Sequence, residues 1–253
     1  MNHVLGIDVG GTKIASALVD QGLELKNLEV TNTSQIDLVR QLIDLIRSQK
    51  NFDAIGLAMP GPVLSDGTVV RLPNVPRFAR VNLKHLLEET FKVPVAVVND
   101  AKAFAFAEAM AGQAQENKVA AGVVLGTGIG VGIVIDRKIY DGKDGIAGEF
   151  EHVTLLDGKL FRELRHAAGR FQKASDAKLY LKTLLDMIIL SFNPDVIILG
   201  GGWANLPGME DLASELAVNV GDYENRTAVK VSKLQYPSLV GAALLALEQQ
   251  KVK

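Results

Sequence analysis

The chain contains no cysteine, which removes disulfides and every thiolate-held metal cluster from consideration. Blocks of lysine or arginine are missing too. With a formal net charge of only −2, there is no electrostatic footprint for a nucleic acid. No apolar run approaches the length of a membrane span. The longest greasy tract, Leu184 to Leu190, is broken by Asp186 and reads as a core helix. The N-terminus enters a strand at His3 without a secretory leader, so the expectation is a cytoplasmic protein with no membrane partner. Low-complexity segments and flexible linkers are also absent. What remains is 253 residues, 48% hydrophobic and 22% charged. Such a chain can bury about three quarters of its unfolded surface, in one large domain or two lobes.

Two glycine hairpins carry most of the information. Ile7-Asp8-Val9-Gly10-Gly11-Thr12-Lys13 leads into the apolar stretch Ile14 to Val19 and ends at Asp20. Val123-Val124-Leu125-Gly126-Thr127-Gly128-Ile129 leads into Gly130 to Ile135 and ends at Asp136. Each reads as a buried strand, a tight turn and a second strand. Turn residues without a Cβ let backbone N–H groups approach an anion closely. A single turn of this kind is commonly only a hairpin. Two copies, one in each half of the chain, point to a phosphate chain held between two related lobes.

The rest of the chain alternates strands and helices. Strands are predicted at 3–9, 13–19, 27–31, 53–59, 94–98, 119–125, 130–135, 195–199 and 228–232. A helix over 35–49 would carry Ile36, Val39, Ile43 and Ile46 on one face, opened by Ser34 and Asp37 as a capping box. Further helices are predicted at 101–111, 176–192, 209–219 and 237–250, the last packing Leu239, Ala243, Leu244 and Leu247. The boundary between the lobes falls near Gln113 to Lys118.

Candidate chemistry gathers at the first hairpin and at Asn99-Asp100. Asp8 is the polar member of an apolar strand, two residues before the glycines, and its copy in the second hairpin is Val124. Beside a phosphate chain it could hold Mg²⁺; otherwise it caps its own turn. Thr12 and Lys13 could add a hydroxyl and a charge, and Lys13 equally reads as a solvated strand residue. Asn99-Asp100 follows the strand Val93 to Val98 and opens a helix. Either residue suffices as an N-cap. The other would point into the crevice beyond the strand, where Asp100 could take a proton from a hydroxyl while Asn99 hydrogen-bonds the substrate.

These segments resemble the ROK group of sugar kinases, within the actin–hexokinase superfamily. Asp8 to Ile14 resembles its first phosphate motif and Gly56-Leu57-Ala58-Met59-Pro60-Gly61-Pro62-Val63 its sugar-side loop. Pro94 to Glu108 matches the segment of the catalytic aspartate, and Leu125 to Gly130 the second phosphate motif. Gly148-Glu149-Phe150-Glu151-His152 resembles the E-x-G-H signature, and Asn193-Pro194 through Gly200-Gly201-Gly202 the adenosine-side motif. The motifs stand in family order and span most of the chain.

The resemblance implies an α/β fold of two lobes, the actin-like ATPase (ribonuclease H-like) fold, with mixed sheets flanked by helices and the active-site cleft between lobes. Residues 1–114 would form the N-terminal lobe, completed by the C-terminal helix 237–253, and residues 115–236 the other. It implies ATP-dependent phosphorylation of a hexose, at the 6-hydroxyl of a glucose-like sugar, with Asp100 as general base. Gly61, Asn74, Asn99, Glu149, His152 and Glu163 would contact the sugar. Asp8, Gly10, Gly11, Thr12, Lys13, Gly126, Thr127, Gly128, Gly200, Gly201 and Gly202 would hold the nucleotide, with Asp8 supporting Mg²⁺. The cofactors are thus ATP and Mg²⁺, the partners small molecules, and a homodimer is compatible.

Three departures stand out. Family members commonly carry a cysteine cluster after the E-x-G-H histidine; without cysteine, zinc is not expected, and His166 with Glu163 reads as a solvated helix face. Glu151 replaces the glycine of E-x-G-H. The segment from Glu149 to Gly200 is shorter than in a typical member, which predicts weak and poorly selective sugar binding. The main alternative is a catalytically weak or inactive sugar- or nucleotide-binding regulator of the same fold. With only seven residues before Asp8, a DNA-reading segment is not expected.

Overall fold

The computed structural model describes residues 3–72, 75, 78, 80–126, 128–155, 158–163, 174–216, 219–220, 223–224 and 226–251. The chain divides into two compact units. One comprises Met1–Ala107, Asp141–Ile146 and Gln235–Lys253; the other comprises Glu108–Tyr140 and Ala147–Leu234.

The first unit holds β1 (Val4–Val9), β2 (Lys13–Val19), β3 (Leu25–Asn32), α1 (Leu38–Ser48), β4 (Ala54–Met59), β5 (Thr68–Val69), β6 (Val81–Asn82), α2 (Leu83–Phe91) and β7 (Val95–Asn99). Then α3 (Asp100–Ala111) carries the chain onward. The second unit adds β8 (Val119–Leu125), β9 (Ile129–Ile135), β10 (Lys138–Ile139), α4 (Lys178–Phe192), β11 (Val196–Gly200), α5 (Met209–Leu216), β12 (Asn219–Val220), β13 (Tyr223–Glu224) and β14 (Ala228–Val231). The closing helix, α6 (Pro237–Lys251), belongs to the first unit.

Both units are built on one plan. The first has a sheet of order β3-β2-β1-β4-β7 and the second a sheet of order β10-β9-β8-β11-β14. In each, three antiparallel strands on one side continue into two parallel ones on the other. This is the expected α/β class, and the hairpin similarity in the sequence is the trace of that shared topology. The two turns differ in one respect. The Gly10 N–H donates to the Lys13 carbonyl at 2.8 Å, whereas Gly126 donates to Gly128 at 2.9 Å, so the second turn closes one residue sooner.

Hydrophobic periodicity accounts for the layers. Leu5, Ile7, Leu38, Leu42, Ile46, Ile55 and Leu57 fill one face of the first sheet, while Leu239, Ala243 and Ala246 of α6 cover the other. Val123, Leu125, Leu184, Leu185, Ile188, Ile197 and Leu199 form the core of the second unit. The first helix corrects the sequence reading. It begins at Leu38 with Asp37 as N-cap, its Oδ1 accepting from the Arg40 N–H at 3.0 Å. Ser34 instead accepts from Ile36 and Asp37 in a separate turn. Ile36 therefore lies outside the helix and is 78% exposed, and the buried stripe runs through Leu38, Leu42 and Ile46. In α6 the seam likewise runs through Leu239, Ala243 and Ala246, with Leu244 and Leu247 only partly buried.

Candidate active site

In the first unit, β4 and β7 lie parallel with Met59 opposite Asn99, so the loops that leave their C-terminal ends meet. Asn99 joins them. Its Nδ2 donates to the Gly61 carbonyl at 3.1 Å and to Asp100 Oδ1 at 3.1 Å. Its Oδ1 accepts from the Ala101 and Lys102 N–H groups at 3.0 and 3.1 Å, which caps α3. Asp100 Oδ1 also accepts from the Ala101 N–H, at 2.8 Å. Both residues thus serve the helix start, and Asn99 couples it to the Gly61 loop.

Lys102 was not singled out by sequence reasoning, yet it is built into this region. It is almost completely buried, its Nζ donating to Asp141 Oδ1 at 2.6 Å and to the Gly145 carbonyl at 2.9 Å. Gly145 in turn lies against the Gly61 loop, where a Cβ on it would come 2.8 Å from the Val63 carbonyl. A buried ammonium with two acceptors ties residues 141–146 to α3, and Gly145 sets that segment against the Gly61 loop. Its sequence signal is slight: one charge inside the apolar run Ala101 to Ala107.

Asp8 sits in β1 between Ala15 of β2 and Ala58 of β4. Burial pushes its carboxyl up from 3.8 to about 6, because little water reaches the charged form. The neighbouring turn is held by Thr33, whose hydroxyl donates to the Gly10 carbonyl at 2.8 Å and whose N–H donates to the Thr12 carbonyl at 2.9 Å. Gln35 donates to the Gly11 carbonyl at 3.1 Å. The Thr12 and Lys13 side chains are exposed. A desolvated carboxylate beside a glycine turn fits Mg²⁺, which takes one or two carboxylates and completes its shell with water and substrate phosphates. Among the described residues, no group of three His, Cys, Asp or Glu side chains could hold a metal on its own.

In the second unit, β8 and β11 are parallel neighbours with Val124 opposite Gly200, which brings the second hairpin beside the Gly200-Gly201-Gly202 run. Gly201 is pressed on the strand before the hairpin: a Cβ there would fall 2.4 Å from the Leu125 carbonyl. Gly202 faces open space and starts a 3-10 turn, Gly202–Asn205. This turn, the start of α5 and the end of β14 line a pocket of about 350 Å³ that includes Asn205, Asp211, Ser232 and Lys233. Ser232 is positioned from below by the fully buried Glu108. The Ser232 hydroxyl donates to Glu108 Oε1, and Glu108 Oε2 accepts from the Gln113 N–H at 3.0 Å.

The remaining sugar-side candidates lie on the segment after β10. Glu149 precedes the 3-10 turn Phe150–His152 and His152 ends it, with His152 Nε2 3.8 Å from Glu149 Oε2. Glu163 is exposed, its Oε1 accepting from the Leu160 N–H at 3.0 Å. Asn74, Thr127 and His166 lie outside the described residues. No helix among the described residues is long and apolar enough to cross a membrane.

Comparison with known proteins gives the chain a family and a fold. A sequence model of the ROK family matches residues 4–170. The chain is 36% identical to an N-acetylgalactosamine kinase, AgaK, of Shewanella sp. (strain ANA-3) over 249 residues, covering 78% of this chain and 80% of that one. It is 32% identical to a xylose repressor of Bacillus subtilis (strain 168) over 164 residues, 60% of this chain but 42% of the repressor. A solved ROK hexokinase from Thermus thermophilus superposes with a TM-score of 0.81 at 27% identity, covering 99% of this chain and 100% of that one.

Proposed function

The chain belongs to the ROK family, and on that premise we propose that it is an ATP-dependent kinase acting on a hexose, at the 6-hydroxyl of a glucose-like sugar. The observation that carries the reading is the Asn99 bridge, which couples the Gly61 loop to the helix start bearing Asp100. In this reading Asp100 accepts the hydroxyl proton as the sugar oxygen bonds to the γ-phosphorus and the bond to the bridging oxygen of ADP breaks. Asn99 and the Gly61 loop orient the sugar, with Asn74, Glu149, His152 and Glu163 as further contacts.

On this reading the donor phosphates lie against the turns at Gly10 to Lys13 and Gly126 to Gly128, and Gly200 to Gly202 with the Ser232 pocket takes the adenosine. Asp8 would hold Mg²⁺, which neutralises charge on the phosphates when bound. Catalysis on this scheme is mostly positioning, since phosphoryl transfer asks little covalent chemistry of the protein.

The test is a purified-protein assay with ATP or polyphosphate as donor, Mg²⁺, and a panel containing glucose, fructose, N-acetylgalactosamine, N-acetylglucosamine and N-acetylmannosamine. Formation of a sugar phosphate, read by mass, supports the reading. The similarity to a repressor favours a second one, a regulator that binds a sugar or a nucleotide without turnover. Saturable sugar binding with no phosphorylated product from any acceptor would select it.

A further inference from the structure

The exit of the second glycine hairpin is already engaged by an anion from the chain itself. The Ile129 N–H donates to Glu151 Oε1. The same carboxylate lies against Gly128, where a Cβ would meet Oε1 at 3.3 Å and Oε2 at 3.5 Å. To a backbone N–H, a carboxylate oxygen and a phosphate oxygen offer the same thing, a negatively charged acceptor.

The fold aims Glu151 there. Its 3-10 turn is anchored by Phe150, which packs on the unit's core and meets Phe192 edge-on with ring centroids 6.4 Å apart. Just before it, Gly148 has φ +93° and runs so close to β9 that a Cβ would fall 2.0 Å from the Val131 carbonyl. Only glycine accepts both the left-handed backbone and that approach. Just after it, the Phe161 N–H donates to the Val153 carbonyl at 2.8 Å. The backbone on both sides of Glu151 is therefore held, on one side by the very strand that leaves the hairpin.

We propose that Glu151 is a built-in anion occupying the second hairpin, which the phosphates of a donor nucleotide must displace, so that this residue sets nucleotide affinity. The proposal rests on reading that hairpin as a donor-phosphate cradle. A phosphate entering the turn meets a like charge and must break a charge-assisted hydrogen bond. The measured affinity is then reduced by the fraction of molecules in which the carboxylate has swung away. Glu151→Gln keeps the shape and removes the charge. Glu151→Gly removes the side chain as well.

The experiment is calorimetric titration of the full-length protein and both variants with ATP and Mg²⁺, and separately with adenosine, which brings no anion. Thermal melting confirms that each variant is folded, and the Gln variant carries the test if the Gly variant is not. ATP should bind both variants about tenfold tighter than the parent, with adenosine affinity unchanged. ATP affinity that stays the same or weakens, ATP that binds none of the three proteins, or adenosine that tightens equally would overturn the proposal. Turnover separates it from the kinase reading. Tightened ATP binding with no sugar phosphorylated by any of the three leaves this proposal standing and sinks the kinase. Phosphorylation by the parent with ATP affinity unmoved does the reverse.

Discussion

Asp8 and Val124 occupy matching positions in two sheets of the same strand order. Each stands two residues before the first glycine of its hairpin. Asp8 lies between Ala15 on the antiparallel side and Ala58 on the parallel side, Val124 between Gly130 and Gly200. The plan is duplicated but the charge is not. A desolvated carboxylate in one copy only is what the proposed Mg²⁺ role of Asp8 requires.

The cost of that burial is measurable. With a folded value near 6 against 3.8 unfolded, Asp8 keeps its proton in the native state over a range where the unfolded chain has lost it. The native state then binds more protons, so stability falls as pH rises through that window and the loss is complete above it. Asp8→Asn should therefore raise the unfolding free energy by about 1–3 kcal/mol near pH 8 and by almost nothing below about pH 4. Urea unfolding at the two pH values checks this, and an equal gain at both would show that burial of charge is not the cause.

Asp100→Asn retains an oxygen to accept from the Ala101 N–H and so leaves the start of α3 intact. It removes the proton acceptor. We expect kcat for sugar phosphorylation to fall by about 10²-fold or more, with the melting temperature and ATP affinity near those of the parent. Turnover close to the parent rate would make Asp100 a helix-start residue and nothing else.

The Lys102–Asp141 pair is asymmetric, the lysine side chain 4% exposed and the aspartate 52%. Removing the exposed partner leaves a buried ammonium with its charge uncompensated and the Gly145 carbonyl as its remaining acceptor, whereas Lys102→Met replaces it with apolar bulk. Asp141→Ala should cost about 2–4 kcal/mol and Lys102→Met about 1 kcal/mol or less. Equal losses in chemical denaturation would mean that the pair contributes through packing alone.

The absence of cysteine makes a prediction about metal. Activity should survive a strong zinc chelator once Mg²⁺ is replenished, and elemental analysis of the purified protein should find no stoichiometric zinc. Inactivation that zinc restores and Mg²⁺ does not would refute it.

Much of the framework was legible because its signals are local. Strands at 13–19 and 119–125 follow from apolar runs next to glycine turns, and a turn is specified by the residues within it. The start of α1 was less legible. Ser34 and Asp37 are both competent caps, and the decision came from side chains around them, including Gln41, which accepts from the Ser34 N–H and donates to the Asn32 carbonyl.

By itself, then, the sequence determined the order of the motifs, the two hairpins, the lack of thiolate metal sites, and Asn99-Asp100 at a strand-to-helix junction. Tertiary structure alone decided which of the distant groups meet. Lys102 reaches Asp141 and Gly145 across about forty residues of chain, and Glu151 reaches back to Ile129. Neither pairing leaves a periodic trace, because a single buried charge or a single carboxylate aimed at a turn changes no pattern of hydrophobicity. Their partners are selected by the packing of whole elements, Phe150 on the core of the second unit and Gly145 on the Gly61 loop, and that packing exists only once the sheets have formed.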